Sequence, residues 1–263
     1  MTKPTNPNDT PARLRLAISG TFGVGKTTTT EALAIATGIP RTHALTSREI
    51  LADLIPGKTV QELSAHELLL LGLRRLEERI HNEAAIPGSF ISDGSVIHEW
   101  IYGEARMRVG INPGAGPLLR ATKTVLGLPY RKFYRDYMNA YGTIVKNRAQ
   151  RLYDAFIHLP VEFDMEHDGH RPVSEPFRHL SDRLLVETLN NLDIPYHIVG
   201  GTIPERIEQI LALHQIPIVM PVEEAIHQAQ ERVLANTTVL NAHVRELAAN
   251  RTWRERLHYA MRY

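Results

Sequence analysis

The stretch Gly20-Thr21-Phe22-Gly23-Val24-Gly25-Lys26-Thr27 fills every fixed position of the phosphate-cradling pattern G-x-x-x-x-G-K-[ST]. A short apolar, β-prone segment, Leu14-Arg15-Leu16-Ala17-Ile18-Ser19, precedes it. An Ala/Leu/Ile-containing segment from Thr28 to Thr37 follows, closed by Gly38 and Pro40. Strand, loop and helix in that order are the context the pattern requires. Consecutive backbone N–H groups wrap a phosphate chain only where no Cβ intrudes and φ can be positive, which accounts for Gly20, Gly23 and Gly25. The helix that opens near Lys26 adds the positive end of its dipole. Lys26 is then placed to reach the β- and γ-phosphates as a catalytic charge, and Thr27 to ligate Mg2+ through its hydroxyl. Thr21, Phe22, Val24 and Thr28 complete the expected nucleotide-binding loop.

Composition narrows the setting. A chain of 263 residues, 43% of them hydrophobic, is long enough for a full α/β core. A net charge of +1 argues against a protein that coats nucleic acid, so anion binding has to be local. With no cysteine, disulfides, thiolate zinc sites and a cysteine nucleophile are excluded. Residues 1–12, rich in Thr, Pro and Asn, lack an apolar core and read as a disordered leader rather than a signal peptide. No apolar run reaches the length of a membrane span, so the expected location is the cytoplasm, without a membrane partner.

Along the chain, Thr42-His43-Ala44-Leu45-Thr46 reads as a second strand, and Ser47 as the cap of a helix from Ile50 to Leu54. Arg48 and Glu49 then fall on the rim beyond the strand ends, as substrate-binding residues or as a solvated first helical turn. From Val60 to Ala85 a broad apolar face predicts a helix, with Arg74, Arg75, Glu77, Glu78 and Arg79 looking outward. Ser89-Phe90-Ile91-Ser92 reads as a buried strand running into Asp93-Gly94-Ser95. A carboxylate there can order Mg2+ or take an acceptor's proton, or simply cap the helix that begins near Val96. Trp100 and Tyr102, soon after that strand end, are expected to approach the acceptor. Segments 153–159 and 195–199 supply the fourth and fifth strands.

The set Gly20–Thr27, Asp93-Gly94-Ser95, Asp168-Gly169-His170-Arg171 and Val199-Gly200-Gly201-Thr202-Ile203-Pro204-Glu205-Arg206 resembles the P-loop nucleoside and nucleotide kinases. The likeness is greatest to the kinase domain of bacterial nicotinamide riboside kinases and related small AAA-like ATP-binding proteins. It runs over about residues 13–215, and the P-loop is its specific part. It implies a five-stranded parallel sheet flanked by helices, with ATP and Mg2+ as cofactors and transfer of the γ-phosphoryl group to a small acceptor. It also implies a lid in which Arg171 and Arg178 close over the transferring group, since planar guanidinium forks meet phosphate oxygens in pairs. The loop at Gly201 and Thr202 would lie against the nucleotide.

The expected architecture is therefore an α/β P-loop domain over 13–218, a helical insertion at about 99–151, and a C-terminal helical extension over 219–263. The insertion mixes Arg, Lys and Tyr after the loop Gly110 to Pro117. It reads as an acceptor-selecting cover, a nucleic-acid face, or ordinary amphipathic helices with half-buried tyrosines. The extension keeps Val222, Ile226, Ala229 and Val233 at helical spacing, and either packs on the core or pairs two copies in a homodimer. His158, His167, His170 and His179 match no usual metal-ligand spacing. The expected activity is phosphorylation of a hydroxyl on a small metabolite, a nucleoside or sugar-like compound. The competing class is a regulatory P-loop ATPase or GTPase with a protein or nucleic-acid partner, although no guanine-reading N-K-x-D segment is present.

Overall fold

The computed structural model describes residues 13–42, 44–56, 58, 60, 63–109, 131–162 and 175–249. Five strands, β1 (Arg15–Ser19), β2 (Arg41–Thr42), β3 (Phe90–Asp93), β4 (Ala155–His158) and β5 (Tyr196–Ile198), form one sheet in the order β2-β3-β1-β4-β5. Every pairing is parallel. Parallel neighbours need crossovers, and these are helical. They are α1 (Lys26–Thr37), α2 (Ser47–Leu54), α3 (Ala65–Ala84), α4 (Val96–Val109), α5 (Arg131–Leu152) and α6 (Glu175–Asn191), while α7 (Ile203–His214) and α8 (Val222–Ala249) follow the last strand.

Both faces of the sheet are covered, which is why the interiors of its central strands, Leu16–Ile18, Phe90–Ile91 and Ala155–Ile157, read as apolar runs rather than alternating ones. Successive side chains still point to opposite faces. Leu16, Ile18, Ile91 and Ile157 pack under Leu33 of α1, Ile207 and Ile210 of α7, and Ile226 of α8. Ala17, Phe90 and Phe156 pack under Leu76 of α3, Ile97 and Ile101 of α4, Met138 and Val145 of α5, and Phe177 of α6. Each such large side chain taken out of water contributes about 1.5–3 kcal/mol before its ordering cost. A smaller cluster of Ile50, Leu51, Leu63 and Leu71 ties α2 to α3. Among the described residues no helix is long and apolar enough to cross a membrane.

Several boundaries differ from the sequence reading. β2 is Arg41–Thr42 only, and His43 lies outside the described residues. The chain turns early because Thr46, not Ser47, caps α2 in a capping box with Glu49. α3 starts at Ala65 rather than Val60, because Ser64 and Glu67 form a second capping box. The ends of the stretch read as an insertion are α4 and α5, and both contribute to the core beneath the sheet. Tyr141 of that stretch is 5% exposed, with its hydroxyl donating to Gly72 O at 3.2 Å. The loop from Gly110 to Pro117 and residues Arg120, Lys123 and Tyr130 lie outside the described residues, as do 1–12 and 250–263.

Candidate active site

The β1–α1 loop has the backbone its glycines permit. Gly20 (φ 136°), Gly23 (φ 78°) and Gly25 (φ 87°) all have positive φ. A Cβ at Gly20 would come within 2.6 Å of Leu159 O, so the loop leaves β1 in contact with the β4 end. Gly25 is the N-cap of α1, which has no side-chain cap and no acidic residue in its first turn. α2, α3 and α7 by contrast each close their N-termini with a Ser or Thr and a Glu. The first amides of α1 are thus left to meet an anion.

Two buried guanidiniums hold this loop from behind. Arg178 of α6, 1% exposed, donates from Nε to Phe22 O at 2.9 Å. Arg206 of α7, 4% exposed, donates from Nη1 to Val24 O at 2.6 Å and from Nη2 to Glu162 at 2.7 Å. In a planar trans peptide the N–H points opposite to the carbonyl. Anchoring the carbonyls of Phe22 and Val24 therefore turns the amides of Gly23 and Gly25 away from the arginines, toward the phosphate side. Lys26 Nζ donates to Thr21 O at 2.5 Å, which keeps the ammonium inside the same loop.

The parallel pairing of β1 with β3 sets Ile18 beside Asp93, one turn of loop from α1. Thr27 Oγ1 donates to Asp93 Oδ2 at 2.7 Å. A hydroxyl and a carboxylate oxygen side by side suit Mg2+, which takes one or two such oxygens and fills the rest of its shell with water and phosphate. Among the described residues no group of three or more His, Asp or Glu can hold a metal. His158, one of the four histidines noted in the sequence, is buried in β4, with Nε2 3.3 Å from Asp182.

The Asp93 strand end is itself positioned. Arg79 Nη1 donates to Asp93 O at 3.1 Å and to Ser92 Oγ at 3.2 Å. Glu99 accepts from Arg79 and, at 2.5 and 2.9 Å, from Arg75. Burial alone would raise the Glu99 carboxyl, but the two guanidiniums outweigh it and hold the group below the usual carboxylate range. Arg75 and Arg79 were expected to look outward. Their spacing of four puts them on one helix face, and that face meets α4, so Arg79 is only 3% exposed. His98 of α4 accepts the Ser95 amide at Nδ1, 3.0 Å, and its Nε2 lies 3.4 Å from Gly20 N. Burial, with Lys26 and Arg79 nearby, pushes the imidazole well below its ordinary pKa, so it is neutral at physiological pH.

The remaining sequence candidates are distributed as follows. Tyr102 faces the loop, its ring stacked on Phe22 at 4.5 Å between centroids. Trp100, expected beside it, is turned the other way: Nε1 donates to Met138 O at 2.9 Å and Lys146 lies over the ring at 4.0 Å. Successive helical positions point about a quarter turn apart, so Trp100 and Tyr102 cannot share a face. Glu49 is engaged by the Thr46 amide at 2.7 Å, and Arg48 sits half-buried beside it on α2. Gly201 donates its amide to Glu162 at 2.9 Å, and Thr202 caps α7 with Glu205. That amide first, then Arg206, holds the Glu162 carboxyl below its usual range against a small opposing effect of burial. Arg178, expected in a lid that closes over the transferring group, is instead buried beneath the loop, where Phe22 O and Glu175 give its guanidinium the fixed acceptors that such depth requires. Arg171 lies outside the described residues. Arg206, Glu162, Arg79 and Glu99 escaped the sequence reading. For Arg79 the available signal was its place four residues after Arg75 on one helix face, whereas Arg206, Glu162 and Glu99 carry no such periodic mark.

A family model described as an AAA domain matches residues 15–206. Among solved structures the chain is similar to deoxyadenosine kinase from M. mycoides with products dCMP and a flexible dCDP bound, at TM-score 0.52 and 14% identity, covering 77% of this chain and 98% of that one. The same kinase with bound dCTP aligns at TM-score 0.51 and 14% identity, over 77% of this chain and 99% of that one. No curated protein matches the chain. The resemblance read from the P-loop and the five-stranded parallel sheet thus holds at the level of a P-loop, nucleotide-kinase-like fold.

Proposed function

Because the chain belongs to the AAA domain family, we propose that it uses ATP and Mg2+ to phosphorylate a hydroxyl of a small metabolite, a nucleoside or sugar-like compound. The observation that carries this reading is the Thr27–Asp93 pair at 2.7 Å, at the mouth of a phosphate loop whose amides are oriented by buried arginines. Mg2+, held by Thr27 and Asp93 when bound, would neutralise charge on the nucleotide's phosphate oxygens. Gly23, Gly25 and the first turn of α1 bind those oxygens through backbone N–H groups, and Lys26 adds its positive charge to them. Asp93, at the strand end, is placed to orient the acceptor hydroxyl and receive its proton. Arg79 and Glu99 keep Asp93 in place. Such a reaction depends on positioning and electrostatics, so no nucleophilic side chain is required.

The test is a screen of metabolite pools for acceptor-dependent ADP release. An active pool should identify an alcohol acceptor. Lys26→Ala should then lower turnover about 10²–10³-fold or more with the fold intact, and Asp93→Asn should lower it roughly 10²-fold with a smaller effect on nucleotide affinity. Steady ATP hydrolysis indifferent to every pool would favour the regulatory ATPase instead.

A further inference from the structure

His98, Tyr102 and Arg106 recur every four residues and so share one face of α4. That face follows the phosphate loop outward. His98 lies against Gly20, Tyr102 stacks on Phe22, and the Arg106 guanidinium lies over the Phe177 ring at 5.5 Å from its centroid. Phe177 is fully buried and in turn 6.4 Å from Phe22. Nearby guanidiniums have acceptors: Arg75 and Arg79 bind Glu99, and Arg178 binds Phe22 O and Glu175. Among the described residues, the Arg106 guanidinium makes no hydrogen bond and no close ion pair, Glu99 acting on it only at longer range, and the Tyr102 hydroxyl makes no hydrogen bond. Burial pushes the Arg106 guanidinium down to about 10, and it still carries its charge at neutral pH. Among the described residues, then, this half-buried cation faces no fixed acceptor, and a ligand oxygen can take the place of the water that otherwise meets its donors.

We propose that Arg106 and Tyr102 form a subsite for an anionic group, a carboxylate or a phosphate, on the acceptor. The proposal rests on the phosphotransferase reading for the identity of that ligand as an acceptor. Arg106 presents a planar fork that matches two oxygens of either anion, and the Tyr102 hydroxyl adds a donor one helical turn away, about 6 Å along α4. Both stand further along α4 than the Asp93 end, so the anion belongs to the part of the acceptor remote from the reacting hydroxyl. The aromatic floor of Phe22 and Phe177 excludes water beneath the ion pair and strengthens it.

Two measurements decide this. In the acceptor screen, neutral nucleosides, nucleoside monophosphates and hydroxy acids are compared with the parent, Arg106→Gln and Arg106→Lys. The expected result is a preference for an anionic acceptor whose KM rises about tenfold or more in Arg106→Gln and less in Arg106→Lys. Monophosphates and hydroxy acids as separate arms identify the anion. A preferred acceptor that is neutral, or a KM within twofold of the parent in Arg106→Gln, overturns the subsite. The second measurement needs no turnover: acetate and inorganic phosphate are titrated calorimetrically into protein saturated with Mg2+ and a non-hydrolysable ATP analogue. Binding that weakens about tenfold in Arg106→Gln, and partly recovers in Arg106→Lys, supports the subsite even if no acceptor is ever phosphorylated. Equal binding by all three proteins overturns it. Loss of all acceptor turnover with Arg106-dependent anion binding retained would sink the kinase reading alone.

Discussion

Arg178 is the residue whose role changes most between chain and fold. A lid arginine meets the γ-phosphoryl group chiefly as charge redistributes, and its loss lowers kcat at nearly constant KM. The buried Arg178 holds the Phe22 carbonyl, and under the proposed phosphotransfer it would act on the ground state, by keeping the Gly23 amide turned toward the nucleotide's phosphates. Arg178→Ala should therefore raise the KM for ATP or weaken nucleotide binding about tenfold, and destabilise the fold by about 1–3 kcal/mol through the orphaned carbonyl. Nucleotide titration and urea unfolding of the variant check both. A pure kcat loss with unchanged nucleotide affinity would return Arg178 to the lid.

At the scale of single elements, α2, α3 and α7 close their own N-termini with a Ser or Thr and a Glu, and α3 shows the cost of doing so. Glu67 accepts the Ser64 amide at 2.8 Å and pairs with Lys58. Burial alone would raise its carboxyl, yet the Lys58 and Ser64 hydrogen bonds hold it down to about 2, against an ordinary value of 4.5. A depressed acid stabilises the fold fully above its unfolded pKa and loses that contribution as pH falls through the folded one. The melting-temperature gap between the parent and Glu67→Gln should therefore be largest at neutral pH and shrink between pH 4.5 and about 2. A gap that stays constant over that window would mean that the carboxylate is not paired. Such boxes are legible from the spacing of Ser64 and Glu67 or Thr202 and Glu205, three residues apart, once the preceding segment is known to stop. Where helix 60–85 really begins was hidden by apolar residues that continue the period without joining the helix.

For the whole molecule, α8 bears on whether the C-terminal segment is an appendage or part of the fold. Ile226 is 8% exposed and packs in the cluster that covers α1 and the sheet, and Arg232 reaches Glu31 of α1 at 3.0 Å. Ile226→Ala should cost about 2–3 kcal/mol, low in the range for core truncation because the site lies near the surface. Chemical denaturation measures it, and a cost within about 0.5 kcal/mol would make α8 dispensable. The amino-acid order by itself determined the phosphate loop, because positive φ and the absence of Cβ are demands that three glycines meet locally. It also marked apolar strand interiors such as Leu16–Ile18 and Phe90–Ile91, as strands buried on both faces require, while the helix-flanked parallel sheet was implied by the family resemblance. Only the tertiary structure decided that Arg178 and Arg206 hold the loop from 156 and 182 residues away, and that Arg75 and Arg79 turn inward. A guanidinium in the sequence carries no mark of the carbonyl or carboxylate it will meet. That partner is chosen by packing, when burial makes a fixed acceptor obligatory.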